Sequence, residues 1–133
     1  MISHRWDISP SEAMVLQRRL RDLVRTEPLE KPISTVAGVD CAFLEDGRKI
    51  VAAAVLLEAG TMSLLEKVYV IRPCEFPYVP GLLSFREAPA VIEAVGSLSA
   101  MPDLLMCDGQ GLAHPRGMGL ACHVGLWLEL PTI

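Results

Sequence analysis

Leu104-Leu105-Met106-Cys107-Asp108-Gly109-Gln110-Gly111-Leu112-Ala113-His114-Pro115-Arg116 is the run around which the chain is organised. Its first four residues are apolar and uncharged, which predicts a buried strand in a parallel sheet. The strand ends on the carboxylate of Asp108. Gly109 and Gly111 then allow a sharp turn and a close backbone approach. A His, an Arg and a segment rich in small residues follow. In open α/β sheets, ligands bind outside the carboxyl ends of the strands. Asp108 therefore stands either in a site or in an ordinary Asp-Gly turn, and these residues alone leave the two readings even.

Working outward, Ser84-Phe85-Arg86-Glu87 has a capping-box pattern and predicts a helix to about Ser97, with Ala90, Ile92, Ala94, Val95 and Leu98 on its apolar face. Glu87 then has a plain job at the helix start. Pro89 fits the fifth helical position poorly, so an irregular first turn could instead free Glu87 to point elsewhere. Upstream, Ile33–Phe43 reads as a first strand, apolar on both faces and so central, interrupted by Asp40. A lone carboxylate in such a run is costly unless paired or metal-bound. The turn at Glu45-Asp46-Gly47 leads to a second strand, Lys49–Leu57, and Ala59-Gly60 leads to a third, about Ser63–Arg72. Such short connections predict an antiparallel meander. Between the third strand and the helix, Pro73–Gly81 holds three prolines and a glycine and reads as a stiff loop. Tyr78 in it is either a core anchor or a rigid stacking surface, and physics alone favours the anchor.

At the N-terminal side, Ser9-Pro10-Ser11-Glu12 is a capping box with Pro at the first helical position. Ala13, Leu16, Leu20, Leu23 and Val24 form the apolar stripe behind it, and Pro28 is expected to end the helix. Arg18, Arg19, Arg21 and Arg25 lie off that stripe, as a solvated face or a phosphate-contacting patch. At the other end, Gly117–Leu130 suits a helix packed tightly on a sheet, and Pro131-Thr132-Ile133 suits the start of another strand.

The 133 residues allow one domain with a core of its own, not two. Hydrophobic residues make up 51% and mean hydropathy is +0.37, yet no run reaches the roughly 18 apolar residues of a membrane span. No signal-peptide pattern opens the chain, and no membrane role is expected. Cys41, Cys74, Cys107 and Cys122 are far apart and form no C-x-x-C, which suits free thiols in a reducing cytoplasm. Cys122-His123 lacks a second pair to complete a metal site and reads as core. A net charge of −4 argues against broad, charge-driven nucleic-acid binding, though not against a local basic groove or binding through metal ions.

This order of elements predicts an α/β fold with a ribonuclease-H-like mixed sheet: three antiparallel strands, then a parallel one, flanked by helices. If the fourth strand lies beside the first, Asp40 and Asp108 become neighbours and Glu87 can hang over the same edge. Three carboxylates at one point repel and desolvate one another. A hard cation with oxygen ligands resolves that, and Mg²⁺ suits a few carboxylates plus substrate phosphates. Metal-dependent phosphoryl transfer is the chemistry this points to.

Five segments then carry a resemblance to one family, endonuclease V. They are Val36-Ala37-Gly38-Val39-Asp40, Pro77–Glu87, Asp108–Arg116, Gly119–Gly125 and Pro131-Thr132-Ile133. The Pro-Tyr-Val-Pro-Gly block is the most specific of them. The resemblance implies a Mg²⁺- or Mn²⁺-dependent nuclease of ribonuclease-H-like fold. It would cut DNA or RNA on the 3′ side of deaminated adenine, hypoxanthine, in DNA repair. It implies Asp40, Glu87 and Asp108 as metal ligands and Tyr78 as the wedge that fills the gap left by a turned-out base. It further implies Gly81, Leu83, Gly109 and Gly111 at the base pocket, Pro80 among the nucleic-acid-binding residues, and His114 and Arg116 near the nucleic-acid strand or the metals. Family members continue past the Pro-Thr-Ile point with a Lys and then another carboxylate or His, so residues 1–133 are expected to be a single domain lacking the family's C-terminal part. Two other readings are thereby kept: a cleavage-impaired chain that still binds hypoxanthine-containing nucleic acid, and a scaffold whose unfinished sheet edge recruits a protein strand.

Overall fold

The computed structural model describes residues 2–133. Its elements run α1 (Pro10–Arg21), β1 (Thr35–Leu44), β2 (Lys49–Glu58), β3 (Leu64–Pro73), α2 (Leu83–Gly96), β4 (Leu104–Cys107) and α3 (Leu120–Leu128). The four strands form one sheet in the order β3-β2-β1-β4. β1, β2 and β3 are antiparallel neighbours, and β4 lies parallel to β1. This is the ribonuclease-H-like strand order, with β1 inside the sheet as its apolar run predicts.

Local chemistry accounts for the meander. Glu45, Asp46 and Gly47 all take positive φ, at 53°, 55° and 85°, so the turn signal lies where the backbone reverses. Along β1 and β2 the buried residues alternate: Ala37 and Val39 on one strand, Ile50, Ala52, Ala54 and Leu56 on the other. They join Ala88, Val91, Ala94 and Val95 of α2 and Val124 of α3 in the core. The opposite face shows Ala53, Tyr69, Ile71 and Met106 to solvent. No helix among the described residues is long and apolar enough to cross a membrane.

Several local expectations are corrected. α1 stops at Arg21, not at Pro28, and Leu23 beyond it is exposed, so burial does not extend the helix. Its own capping box does form, with Ser9 and Glu12 satisfying each other's backbone. The second capping box does not form. Leu82 is the N-cap of α2 without a side-chain bond, and Ser84 lies buried inside the helix. The Ser84 hydroxyl is committed instead to His123 Nδ1 at 2.8 Å. α2 also runs unbroken through Pro89, so its first turn is regular. β4 is covered on one face only, with Met106 exposed, and α3 begins at Leu120 rather than Gly117. Pro131-Thr132-Ile133 does begin a parallel partner for β4: Leu105 N–H donates to Pro131 and Cys107 N–H to Ile133.

His123 is fully buried, as the core reading of Cys122-His123 expects. Its Nε2 meets His4 Nε2 at 2.8 Å, and His4 Nδ1 bonds the Arg5 carbonyl at 2.9 Å. A carbonyl only accepts, so His4 carries its proton on Nδ1. His4 Nε2 then accepts from His123 Nε2–H, and His123 Nδ1 accepts from Ser84. Burial lowers the pKa of His4 and, with His4 opposite, that of His123 to about 3. Trp6 and Trp127 pack beside the pair, with ring centroids 4.9 Å apart. The N-terminal segment is thereby strapped across α2 and α3.

Candidate functional site

β1 and β4 run parallel in a register that ends with Val39 opposite Cys107. One residue further along each strand stand Asp40 and Asp108, both exposed. Both line one open hollow with Gly38, Ala53, Val55 and Met106. Asp40 accepts the Cys41 N–H at 2.8 Å, which orients its carboxylate beside the strand.

Glu87 reaches the same end of the sheet from α2 and is half-buried. Burial raises its pKa, and the Asp40 and Asp108 charges raise it further; a hydrogen bond from the Cys41 thiol and the charge of Arg86 act the other way. Burial, then the Glu87 charge, raises the Cys41 thiol pKa too, so Cys41 is a neutral donor to Glu87. The capping role for Glu87 is ruled out by the position of Leu82 as N-cap, and its side chain lies near Cys41, Asp40 and Asp108 instead. Among the described residues, no three His, Cys, Asp or Glu side chains are gathered tightly enough to hold a metal ion as they stand. The donors themselves are all carboxylate oxygens, the set a hard divalent cation takes.

Arg86, next to Glu87, lays its guanidinium 4.5 Å from the centre of the Phe43 ring, a cation–π contact. Its Nε is buried without a hydrogen-bond partner.

The loop before α2 projects Tyr78, which is 72% exposed. An anchor packed on the core would be buried, so the core-anchor expectation is corrected: the ring stands in solvent. Phe76 and Val79 do the anchoring, against Ala13, Leu82 and Phe85. Pro80 is exposed and Leu83 half-buried. Val79-Pro80-Gly81-Leu82 closes as a turn, with Leu82 N–H on the Val79 carbonyl at 2.9 Å. Gly81 has φ +87°, the third-position angle of a type II turn, for which glycine is favoured.

Gly109 and Gly111 follow Asp108 in a loop fixed to the start of α3: Gly119 N–H donates to Gly111 and Ala121 N–H to Gln110, each at 3.0 Å. A side chain at Gly109 would press on Leu120, and one at Gly111 would meet Ala121 and Cys122. His114 and Arg116 both bond to the loop that carries Tyr78. His114 Nε2 and Arg116 Nη2 donate to the Gly81 carbonyl, at 2.7 and 3.1 Å. The structure thus joins the two glycine loops through a His and an Arg that sequence reasoning set beside strand or metal.

Sequence reasoning missed Cys41, the donor to Glu87, and Gln17, whose amide donates to Gly81 at 2.9 Å. Gln17 had a signal: it is the polar residue on the Ala13–Leu20 stripe, four after one and three before the other.

Comparison with known proteins identifies the family and the fold. The profile of the family described as Endonuclease V matches residues 18–133. Endonuclease V of Nostoc punctiforme is 48% identical over 131 residues, covering 98% of this chain and 59% of that protein. The crystal structure of endonuclease V from Streptomyces avermitilis superposes with a TM-score of 0.90 at 41% identity, covering 98% of this chain and 58% of that one. The Ciona intestinalis endonuclease V, solved with a 23mer DNA containing an inosine, shares the fold at 22% identity and a TM-score of 0.81. The chain therefore spans a little under three-fifths of the length of the relatives it matches.

Proposed function

This chain belongs to the endonuclease V family, and on that premise we propose that it is a metal-dependent endonuclease cutting nucleic acid on the 3′ side of hypoxanthine. The observation that carries the reading is the meeting of Asp40 and Asp108 in one hollow, with Glu87 reaching toward both. Asp40, Glu87 and Asp108 would hold Mg²⁺ or Mn²⁺. When bound, such a cation supplies an activated water and charge neutralisation at the leaving oxygen. The protein's own residues do the rest. Cys41 holds the Glu87 carboxylate toward the strand ends, and Arg86 offsets part of the negative charge there. Tyr78 fills the gap in the stack when the lesion turns out, a step that costs a few kcal/mol and least for a poorly paired base. Gly109 and Gly111 let their loop close onto α3 and offer backbone groups to the edge of the base. Pro80, Gly81 and Leu83 form the opposite wall.

Substrate and compartment follow the same reading: DNA or RNA containing deaminated adenine, repaired in the cytoplasm. The inosine-containing DNA held by the Ciona protein names the strand to test. Incubation with Mg²⁺ and an inosine-containing oligonucleotide gives a nick on the 3′ side in the parent protein and none in Asp108→Ala. No nick in the parent, with Asp108→Ala behaving alike, rejects catalysis by this chain.

The exposed Tyr78 ring, which needs no cation to stack on a base, carries a second reading: a module that grips inosine-containing strands without cutting them. It predicts a mobility shift without cleavage, weakened by Tyr78→Ala. Equal affinity for inosine and adenosine strands would sink it.

A further inference from the structure

An exposed ring at the tip of a loop can fill a gap in a base stack only if its backbone is held still. Prolines stiffen Pro77–Gly81 from within. What fixes the loop to the body of the protein is the carbonyl of Gly81. Three donors from two separate parts of the chain converge on that oxygen: Gln17 Nε2 at 2.9 Å from α1, and His114 Nε2 at 2.7 Å and Arg116 Nη2 at 3.1 Å from one loop. A carbonyl has two lone pairs, so three donors, one of them charged, leave it no freedom to swing.

The donors are themselves locked. His114 Nδ1 accepts from the backbone N–H groups of Arg116 and Met118, which fixes the proton on Nε2, facing Gly81. Arg116 Nε donates to Gln17 Oε1 at 2.5 Å, so both ends of the Gln17 amide are used. Gln17 is fully buried, on a helix whose Ala13 packs with Phe76, Val79 and Leu82 of the same loop. α1 is thus the buttress of the Tyr78 loop, although it lies some sixty residues earlier in the chain: Gln17 and Gly81 are 64 apart.

We propose that Gln17 is a positioning residue: its amide, bridging Arg116 and the Gly81 carbonyl, sets where the Tyr78 ring stands and so the preference for a lesion over a normal base. The proposal rests on the wedge reading of Tyr78. A polar side chain that merely satisfied itself in the interior would have no effect on Tyr78, and that difference can be read directly.

The chain has two tyrosines, and Tyr69, exposed on β3, serves as an internal control. Fluorotyrosine incorporation gives one ¹⁹F resonance for each. In Gln17→Met, which keeps the volume and removes both hydrogen bonds, the Tyr78 resonance shifts and broadens while that of Tyr69 stays. Affinity for an inosine-containing single strand then falls about tenfold, the size of one lost base–aromatic stack, and falls far less for the adenosine strand. Arg116→Lys, which keeps the charge and gives up the fork, moves Tyr78 in the same direction and covers the case in which Gln17→Met fails to fold. A Tyr78 resonance unmoved in both variants overturns the proposal, as does equal loss of affinity for the two strands. If the parent does not discriminate inosine from adenosine, the wedge reading fails, and the ¹⁹F shifts still decide whether Gln17 holds the loop.

Discussion

Asp40, in the middle of β1, and Asp108, just past the end of β4, each lie one residue beyond the last register pair of those parallel strands, Val39 with Cys107. Nothing in the packing of the sheet asks for two carboxylates there. Asp40 interrupts a strand that continues to Leu44, and the two carboxylates share a hollow whose negative charge is felt by Glu87 on α2.

The first prediction concerns what that charge costs the protein without a cation. Burial and the two aspartates raise the pKa of Glu87. A carboxyl group with a raised folded-state pKa contributes stability that is complete below its unfolded value, and loses it as pH climbs through the folded value. At pH 7 the charged form is the strained one. Glu87→Gln should therefore raise the melting midpoint of chelator-treated protein by a few degrees at pH 7, and by less at pH 4. Differential scanning calorimetry checks this, and an unchanged or lowered midpoint at pH 7 contradicts it.

A second prediction has the opposite sign. His4 and His123 are held neutral, with lowered pKa values, His123 at about 3. Their contribution is complete above the unfolded value near 6.5 and is lost as pH falls toward 3. A proton on His4 Nε2 would also face the His123 N–H and break that bond. Each uncompensated proton is worth about 1.4 kcal/mol per pH unit. Urea denaturation between pH 7.5 and 4.5 should show a steeper decline for the parent than for His4→Gln. Parallel declines would contradict the proton assignment.

How much of this was legible in the sequence depends on whether the decisive partner is near in the chain. Ser9-Pro10-Ser11-Glu12 and Glu45-Asp46-Gly47 were readable because cap and turn are settled within four residues. Ser84-Phe85-Arg86-Glu87 carries the same cap pattern and does not cap, because His123 claims the Ser84 hydroxyl from 39 residues away. The end of α1 was misplaced for a related reason: its stripe continues to Val24, but the surface that buries it stops near Leu20. The pairing of Asp40 with Asp108 followed from strand order alone. The turning of His114 and Arg116 onto Gly81 could not, since each would look equally at home beside a phosphate.

Gly119 offers a third prediction. A Cβ there would run into the backbone of Gln110, which cannot yield as a side-chain tip can. Gly119→Ala should cost about 1–3 kcal/mol, the range for overpacking, and displace the loop bearing Gly109 and Gly111. Chemical denaturation measures the cost. A variant as stable as the parent, binding inosine strands equally well, would remove that loop from the site.

For Tyr78 the expectation is a clean separation. Its ring is 72% exposed, so Tyr78→Ala should leave the melting midpoint within about a degree. Affinity for an inosine-containing strand should drop by roughly 1–3 kcal/mol, the value of one stacked base. Fluorescence anisotropy against inosine and adenosine strands measures it, and a loss of stability without loss of discrimination would make Tyr78 an anchor after all.

The most direct test of the account is a Mn²⁺ titration followed by electron paramagnetic resonance, because it asks whether Asp40, Glu87 and Asp108 act as one cation site. The account predicts saturable binding in the parent and its loss or marked weakening in each of Asp40→Asn, Glu87→Gln and Asp108→Asn. No binding in the parent, or binding that Asp108→Asn leaves unchanged, would contradict it.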